Sequence, residues 1–362
     1  MSIEYKKLDQ VCEILDSRRI PITASDRKSG IYPYFGANGL QDYVDDYIFD
    51  DELVLLAEDG GNFGSKDRPI AYRVSGKCWV NNHAHVLKAK DEINIDYLCY
   101  SLMFYNTNGL VNGATRQKLT QAAMRQMLIP VRSMPEQLQI VKRIRSIFDL
   151  INDRTSELLL LDQLVKSRFI EMFGDIVSNP FGWQKQKLSQ NATLLNGRAY
   201  KQEELLDSGK YPVLRVGNFF SNRGWYYSDL ELEPDKYCDN GDLLYAWSAS
   251  FGPQIWKGSK VIYHYHIWKV IVGKAYDKMF LCKLLDYATS LLMGDTHGIA
   301  MMHLTKSGME ETEFIVPPIS LQQQFAVFVE QVDKSKFYIQ QIDEIYLLII
   351  KTLSWRVKHD YN

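Results

Sequence analysis

The sequence lacks a cysteine pattern, a membrane-length apolar run and an excess of charge of either sign. Its start has no apolar signal core, and the apolar run Tyr346–Ile350 is far too short to span a bilayer. A net charge of -2 argues against a non-specific polyanion binder, although it permits local basic patches. The five cysteines form no CxxC pair, which favours free thiols in a reducing cytoplasm. They are Cys12, Cys78, Cys99, Cys238 and Cys282.

The sequence also lacks a readable catalytic or cofactor-binding constellation. The Gly-rich stretch Glu58–Gly64 has no following Gly-Lys-Ser/Thr and is not GxGxxG, so a hairpin turn is favoured over a phosphate loop. Its glycines would still allow close approach to a DNA groove. The carboxylates of 50–52 lack the following ExK of a nuclease, and Asn179-Pro180-Phe181 lacks the second Pro of the NPPF-type tetrad of amino-methyltransferases. We therefore expect a non-catalytic chain without a cofactor.

Two histidine pairs are the nearest approach to a metal site. On a strand, His83 and His85 would share one face, as would His264 and His266. Metal ligation is conceivable, but no cysteine or carboxylate lies at ligand spacing from either pair. A structural role inside each domain is favoured, and no metal site is predicted.

What the sequence does contain is an internal repeat. Lys7, Leu8 and Gln10 recur roughly 180 positions later as Lys187, Leu188 and Gln190, a spacing typical of whole domains in tandem. The ends of the halves match too, since each has a Gly, a Leu-Thr step, a Met, an apolar residue before Pro, and a Gln-rich helix start. These positions are Gly113, Leu119, Thr120, Met124 and Ile129-Pro130 in one half, and Gly298, Leu304, Thr305, Met309 and Val316-Pro317 in the other. Two similar halves suit a target that itself has two parts.

The fold class expected is α+β, with two strand-and-loop-rich domains in pseudo-two-fold tandem repeat, at 1–132 and 175–318. Short β-branched runs broken by turns predict strands, and one helix is expected at Ile95–Tyr105. The expected strands are Leu53–Ala57, Ala71–Val74, His85–Leu87, Val213–Val216, Leu243–Trp247 and Val261–Tyr265.

Long helices are predicted at 133–174 and 319–362, because apolar residues there follow alternating 4-3 spacing. An antiparallel coiled-coil pair that holds the two domains apart is favoured over helices that each pack on their own domain. The first seam consists of Ile140, Ile144, Ile147, Ile151, Leu158, Leu161, Val165 and Met172, with Arg154 and Arg168 in its polar slots. The second consists of Leu321, Phe325, Phe328, Val332, Ile339, Ile342, Tyr346, Ile349 and Leu353, with Ser335 in its polar slot.

Polar and basic loops with interleaved aromatics recur in both halves and are the candidates for DNA contact, because Arg, Lys, Asn and Gln read base edges and hold phosphates. The candidates in the first half are Arg18, Arg19, Tyr34, Asn38, Asn62, Arg116, Gln117 and Lys118. Those in the second half are Arg198, Tyr200, Lys201, Arg215, Asn218, Ser248 and His297.

Over essentially its whole length, the chain resembles the specificity subunits of type I restriction–modification systems. The resemblance is carried by the order of several motifs, doubled along the chain, with a long helix after each copy. The motifs are the aromatic-KxL openings, 32–39 (YPYFGANG), 113–120 (GATRQKLT), Ile129-Pro130 before Pro135-Glu136-Gln137, and 172–175 (MFGD) running into 179–183 (NPFGW).

The resemblance implies that each domain reads one half of a bipartite double-stranded DNA target. It also implies that the helices set the spacing and dock two methyltransferase (modification) subunits, with restriction/translocase subunits in the full complex. The second half departs from the first, having 298–303 (GIAMMH) in place of 113–118 (GATRQK), so the halves are expected to read different sequences. The alternatives are a coiled-coil adaptor that assembles protein partners without base readout, and a free-standing methyltransferase or nuclease.

Overall fold

The computed structural model describes residues 4–355 apart from 66, 114–115, 221–223, 249 and 295–304. These residues form two compact units. Unit 1 contains the described residues up to Ser156 together with those from Tyr338 onward, and unit 2 is Glu157–Phe337. Among the described residues, no helix is long and apolar enough to cross a membrane.

Unit 1 is built on a six-stranded sheet in the order β2-β7-β5-β6-β3-β4, with two small two-stranded sheets, β1-β10 and β8-β9. Its strands are β1 (Glu4–Lys7), β2 (Cys12–Ile14), β3 (Ser29–Gly36), β4 (Gly39–Val44), β5 (Phe49–Ala57), β6 (Ala71–Val80), β7 (Ala84–Ala89), β8 (Val111–Asn112), β9 (Lys118–Leu119) and β10 (Leu128–Val131). Its short helices are α1 (Leu8–Val11), α2 (Ile95–Met103) and α3 (Gln121–Arg125), and the long helix α4 (Met134–Phe173) follows them.

Unit 2 has two four-stranded sheets, in the orders β12-β19-β16-β17 and β14-β13-β18-β15, and a two-stranded sheet β11-β20. Its strands are β11 (Lys185–Lys187), β12 (Ala192–Asn196), β13 (Tyr211–Leu214), β14 (Tyr226–Ser228), β15 (Tyr237–Cys238), β16 (Leu243–Ser248), β17 (Ser250–Ile255), β18 (Val261–Tyr263), β19 (Ile267–Val272) and β20 (Glu313–Ile315). Its helices are α5 (Val216–Phe220), α6 (Lys278–Gly294) and α7 (Lys306–Glu311), and the long helix α8 (Ile319–Trp355) follows.

The internal repeat is visible in the strand pairing. The order β2-β7-β5-β6 of unit 1 corresponds to β12-β19-β16-β17 of unit 2, and β1-β10 corresponds to β11-β20. In both units the first strand pairs antiparallel with the strand that directly precedes the long helix. The α+β fold class with two strand-rich units and two long helices is therefore confirmed.

The long helices have the predicted pattern of burial. Each predicted seam position in 140–172 is less exposed than most of its neighbours, and Gly174 ends α4 with a φ of +76°. In unit 1, Arg154 lies 4.0 Å from Asp343, and in unit 2, Lys336 pairs with Asp162. Within unit 2, Asp162 of α4 pairs with Lys336 of α8, and Arg168, further along α4, lies over Phe328, which comes earlier in α8. The two helices therefore run antiparallel in this unit.

Among the seam positions whose side chains the structure describes, Ile349 was assigned wrongly, and the side chain of Leu353 lies outside the described part of the chain. Ile349 was placed in the seam of α8, but its side chain is 38% exposed, whereas that of Ile350 is 0% exposed. A straight α-helix with 3.6 residues per turn drifts out of a strict seven-residue repeat, which moves the buried face by one position near the end of a long helix.

The predicted strands and the α2 helix are present, with corrections at two strand ends. Val216 begins α5, and Tyr265 lies in the turn between β18 and β19. His83 likewise precedes β7, so neither histidine pair shares a strand face. The expected hairpin turn at Glu58–Gly64 follows β5, which pairs antiparallel with the next strand, β6.

Candidate nucleic-acid interface

In unit 1, four loops that are distant in sequence meet beyond the end of β5. The Asn38 side-chain amide donates to the Gly60 carbonyl at 3.0 Å, and the Gly60 N–H donates to the Gln117 carbonyl at 3.1 Å. The Asp59 N–H donates to the His83 carbonyl at 3.3 Å. These three hydrogen bonds between loops, two of them between backbone groups, restrict how the loops can move against one another.

Two basic side chains lie on this surface, each beside an acid. Arg116 is 59% exposed, and its Nε lies 2.7 Å from Asp59 Oδ1. Lys118 is 51% exposed, and its Nζ lies 3.2 Å from Glu58 Oε1. Exposed pairs of this kind contribute only about 0–1 kcal/mol each, so either cation can exchange its carboxylate for a phosphate or a base edge.

A glycine is favoured beneath Arg116. Gly60 has a φ of +67°, and a Cβ added there would lie 3.3 Å from Arg116 Nε. The left-handed backbone and the close approach of the guanidinium both favour glycine, which gives the Gly-rich stretch a local physical reason.

A buried ionic network supports the surface from below. His85 is buried, with Nδ1 2.6 Å from Asp16 Oδ2 and Nε2 2.9 Å from the Leu119 carbonyl oxygen. Because both neighbours are acceptors, only the protonated ring makes both bonds at once. Arg19 lies 2.7 Å from Glu58 and 3.6 Å from Asp16, and it is mostly buried. The network ties the strand that holds Lys118 to the sheet.

The acids of the network have pKa values below their ordinary range. Burial on its own would raise the pKa of Asp16, but the hydrogen bond and charge of His85 and a bond from Gln121 hold it down. Burial would likewise raise the pKa of Glu58, which Arg19, His85 and Lys118 lower.

Asp16, Glu58 and His85 also form the one group among the described residues whose ligand atoms lie close enough together to hold a metal ion, within 4.8 Å of one another. Arg19 already bonds to Glu58 and lies beside Asp16, and Gln121 donates to Asp16 at 3.0 Å. These donors occupy the oxygens that an ion would need, so the arrangement fits a structural network better than a metal site.

In unit 2, the candidate residues gather around the turn between β18 and β19. Arg198 makes a two-pronged pair with Glu204, at 2.9 and 2.7 Å, and its guanidinium lies 5.2 Å from the Tyr200 ring centroid. Tyr200 in turn stacks on His264 at 6.3 Å. Lys201 is exposed, and its N–H donates to Glu204 at 2.8 Å.

Arg215 and Asn218 form a neighbouring corner. Asn218 Nδ2 and Arg215 Nη2 both donate to the Gly224 carbonyl, at 3.2 and 3.3 Å. The Arg215 guanidinium covers the Tyr226 ring at 4.2 Å. The pKa of His264 is lowered to about 4, by burial first, then by His266 and then by the positive charge of Arg215.

The other residues predicted to contact DNA do not join these two surfaces as expected. Tyr34 is 1% exposed, under the guanidinium of Arg27, which removes it from direct contact. Arg18 lies over Phe49, the first residue of β5, and donates to the Ile48 carbonyl at 3.2 Å. Asn62 donates to the Pro69 carbonyl within its own loop. Ser248 ends β16, and His297 lies outside the described residues.

Sequence reasoning missed four residues of these surfaces. Asp59 and Glu58 were treated as part of a turn, although they hold Arg116 and Lys118. His83 and Tyr265 lie beside the candidate basic residues. The sequence feature that could have indicated them is the histidine doublet at matching places in both halves.

Comparison with known proteins places the chain in one family. The family model described as "Type I restriction modification DNA specificity domain" matches residues 2–160 and 180–346. The putative type I restriction enzyme specificity subunit S.HindORF215P of Haemophilus influenzae is 30% identical over 262 residues, covering 69% of this chain and 66% of that relative. The EcoprrI specificity subunit of Escherichia coli is 28% identical over 36% of this chain and 31% of its own length. The chain therefore spans less than two thirds of the length of each of these relatives.

Solved structures share the fold. The S subunit of a type I restriction-modification system from M. genitalium superimposes with a TM-score of 0.52 at 14% identity, covering 100% of this chain and 97% of that chain. A chain from a structure on complex assembly and conformational transition of the type I R-M system gives 0.54 at 14% identity, covering 98% and 96%. At this identity the likeness establishes the fold alone.

Proposed function

Because the chain belongs to the family of type I restriction–modification DNA specificity domains, we propose that it is the sequence-reading, non-catalytic subunit of a type I restriction–modification complex. Its ligand is double-stranded DNA with a bipartite target, and its place of action is the cytoplasm. One half-site is read by the domain at 1–132 and the other by the domain at 175–318. Methylation and cleavage belong to partner subunits.

The observation that carries this proposal is the convergence of loops in each unit on a surface of polar and basic side chains. Around Arg116 and Lys118 the loops bond to one another through the backbone, so the side chains are presented on a fixed frame. Fixed donors at separations that match base edges are what direct readout requires, whereas flexible cations would give only non-specific affinity.

The exposed residues are proposed to contact DNA, and the buried ones to hold the loops. Asn38, Arg116, Gln117, Lys118 and Lys201 are exposed. Arg19, Tyr34 and Arg198 are at least partly buried and have partners within the fold, so they shape the surface more than they reach beyond it. Since the two surfaces differ in residue type, the half-sites are expected to differ in sequence.

The partners proposed are two methyltransferase subunits, with restriction/translocase subunits in the full complex. Leu159 and Leu160 in unit 2, and Leu348 in unit 1, are exposed on the long helices and need cover. The net charge of -2 also leaves the chain short of the positive field that drives DNA affinity. We therefore expect the protein to purify from its native host as a larger complex, and a monodisperse monomer with full DNA competence would contradict this.

The test of the function is selection from a pool of random-sequence duplex DNA by the full chain, in the complex in which it is isolated. The expected result is an enriched motif with two specified segments and an unspecified spacer, bound with an affinity that falls steeply with salt. Binding without sequence preference, or no binding, would contradict the proposal and favour a coiled-coil adaptor. Methylation or cleavage by the isolated chain would favour a free-standing enzyme.

A further inference from the structure

The turn between β18 and β19, residues His264–His266, lies beside the loop that contains Arg198. We propose that Tyr265, at the centre of this turn, is a specificity-determining residue that reads a base pair of the second half-site through its side-chain hydroxyl. This inference rests on the proposed function of the second domain as a DNA reader.

The backbone of Tyr265 is held from two sides. Its N–H donates to the Arg198 carbonyl at 3.1 Å, and its own carbonyl accepts from Trp247 Nε1 at 2.9 Å. Within the turn, the Ile267 N–H donates to the His264 carbonyl at 3.0 Å. The position of Tyr265 is thus fixed by the loop that contains Arg198 and by the end of β16.

The ring of Tyr265 is held by other rings. Its centroid lies 3.9 Å from that of His266, 4.5 Å from that of His264 and 6.0 Å from that of Trp247. Packing against three neighbouring rings restricts the Tyr265 side chain, so less conformational entropy remains to be lost on binding.

The contacts among described residues that hold Tyr265 involve its backbone and its ring and leave its hydroxyl out. Tyr265 is 38% exposed, and among the described residues no group makes a hydrogen bond with its hydroxyl. Nearby Tyr200 and Tyr263, by contrast, direct their hydroxyls to backbone carbonyls. A phenolic hydroxyl donates and accepts, and it can therefore pair with groups on the edge of a base pair.

The matching turn of unit 1 lies in the same relation to a candidate DNA-contacting residue. β7 and β19 hold equivalent places in their sheets, and the residue preceding β7 by one position is His83. His83 Nδ1 lies 3.4 Å from Arg116 Nη2. In both units the turn before this strand therefore borders the proposed DNA surface, and in unit 2 its exposed residue is Tyr265.

The decisive variant is Tyr265→Phe, which keeps the ring contacts and both backbone bonds and removes only the free hydroxyl. It is compared with the parent full chain, in the complex in which that chain is isolated, on the selected duplex and on single-base variants of both half-sites. We expect a roughly 5- to 150-fold loss of discrimination at one base pair of the second half-site, as one mismatched pair costs. Discrimination in the first half-site and the slope of log K against log[salt] stay unchanged, because the hydroxyl is neutral.

Tyr43→Phe is the matched control, since Tyr43 is an exposed tyrosine of unit 1. It is expected to leave the second half-site unaltered. A second variant, Tyr265→Ala, should relax the same base pair and weaken binding further, because the ring contacts are lost as well.

Each other outcome overturns the inference. Unchanged discrimination in Tyr265→Phe places the hydroxyl outside the interface, and an even loss across all sequences indicates a phosphate contact instead. In both cases the parent still selects a bipartite motif, so the proposed function survives. If the parent selects no motif, the proposed function fails and the inference fails with it.

Discussion

Gln137 and Gln322 occupy the same position in the two halves and make the same three hydrogen bonds. Each side chain is fully buried near the start of a long helix. Gln137 Oε1 accepts from the Asn94 N–H at 2.7 Å, and Gln322 Oε1 accepts from the Asp277 N–H at 2.9 Å. Each Nε2 donates to two carbonyls, those of Glu92 and Arg132 in unit 1 and those of Ala275 and Pro317 in unit 2.

This relationship explains why each half has a glutamine at this position of its helix start. The Asn94 and Asp277 side chains accept from the first-turn N–H groups of α2 and α6, so each glutamine bonds to the capping residue of a second helix. One buried amide joins the start of the long helix, the preceding strand end and the cap of that helix within its own unit.

Replacing either glutamine should destabilise its own unit. Gln137→Leu leaves the Asn94 N–H and two carbonyls without a partner, at a cost of about 1–3 kcal/mol for each buried group. We expect faster amide hydrogen exchange at Asn94 and through α2, with exchange at Asp277 unchanged, and the reverse for Gln322→Leu. Equal loss of protection at both amides in either variant would contradict independent junctions.

Arg116→Ala should affect the first half-site alone. If Arg116 reads a base, the change costs about 1–3 kcal/mol and relaxes one position of that half-site. If it holds a phosphate, binding weakens evenly and the salt slope falls by about one. A binding assay over half-site variants separates the two. Arg18→Ala is the control for the loss of an exposed arginine of unit 1, since Arg18 lies over Phe49 and donates to the Ile48 carbonyl.

Arg198→Ala is the corresponding variant in the second domain, and it tests a different role. Because Glu204 holds the guanidinium on two prongs, the change should disturb the loop that fixes Tyr265 and relax the second half-site. Folded Arg116→Ala and Arg198→Ala proteins that match the parent in affinity, preference and salt slope would remove both loops from the DNA interface.

His264 should make the folded protein sensitive to acid. Burial, then His266 and Arg215, lower the pKa of His264 from 6.5 to about 4. The Tyr200 ring that stacks on His264 adds no charge. Between these values the unfolded chain binds a proton that the folded chain excludes, so the free energy of unfolding falls as pH falls through that window. Above it, this contribution is constant.

The check is chemical denaturation at several pH values. His264→Gln, which cannot gain a charge, should lose less stability than the parent as pH falls between about 6.5 and 4, measured by tryptophan fluorescence. Parallel pH profiles for the two proteins would mean that His264 is not excluded from protonation in the folded state.

The long helices are proposed to set the distance between half-sites. Four residues inserted after Ser156 and four after Phe337 keep both seams approximately in phase and preserve the Arg154–Asp343 and Asp162–Lys336 pairs. The added length is roughly 6 Å, so the spacer of the selected motif should grow by about two base-pair steps. A spacer of unchanged length would refute this role.

The sequence by itself determined the tandem repeat, the strand-rich halves and the presence of a long helix after each half. These features are encoded over short stretches by apolar periodicity and by turn residues. The stretch from Pro135 to Phe173 has no Gly and no further Pro, and its periodicity predicts α4 closely. In α8, by contrast, the shift of the buried face from Ile349 to Ile350 depended on the packing of the helix and not on its heptad pattern.

Only the tertiary structure decided which candidate residues are free to act. Arg19 and Arg116 are alike in sequence, but folding brings Glu58, 39 positions away, onto Arg19, whereas Arg116 stays exposed. The structure also moved His264 and Tyr265 out of a strand and into a turn. Contacts between charges or rings that are far apart in the chain leave no local pattern in the sequence. They depend on which loops the sheet brings to the same edge.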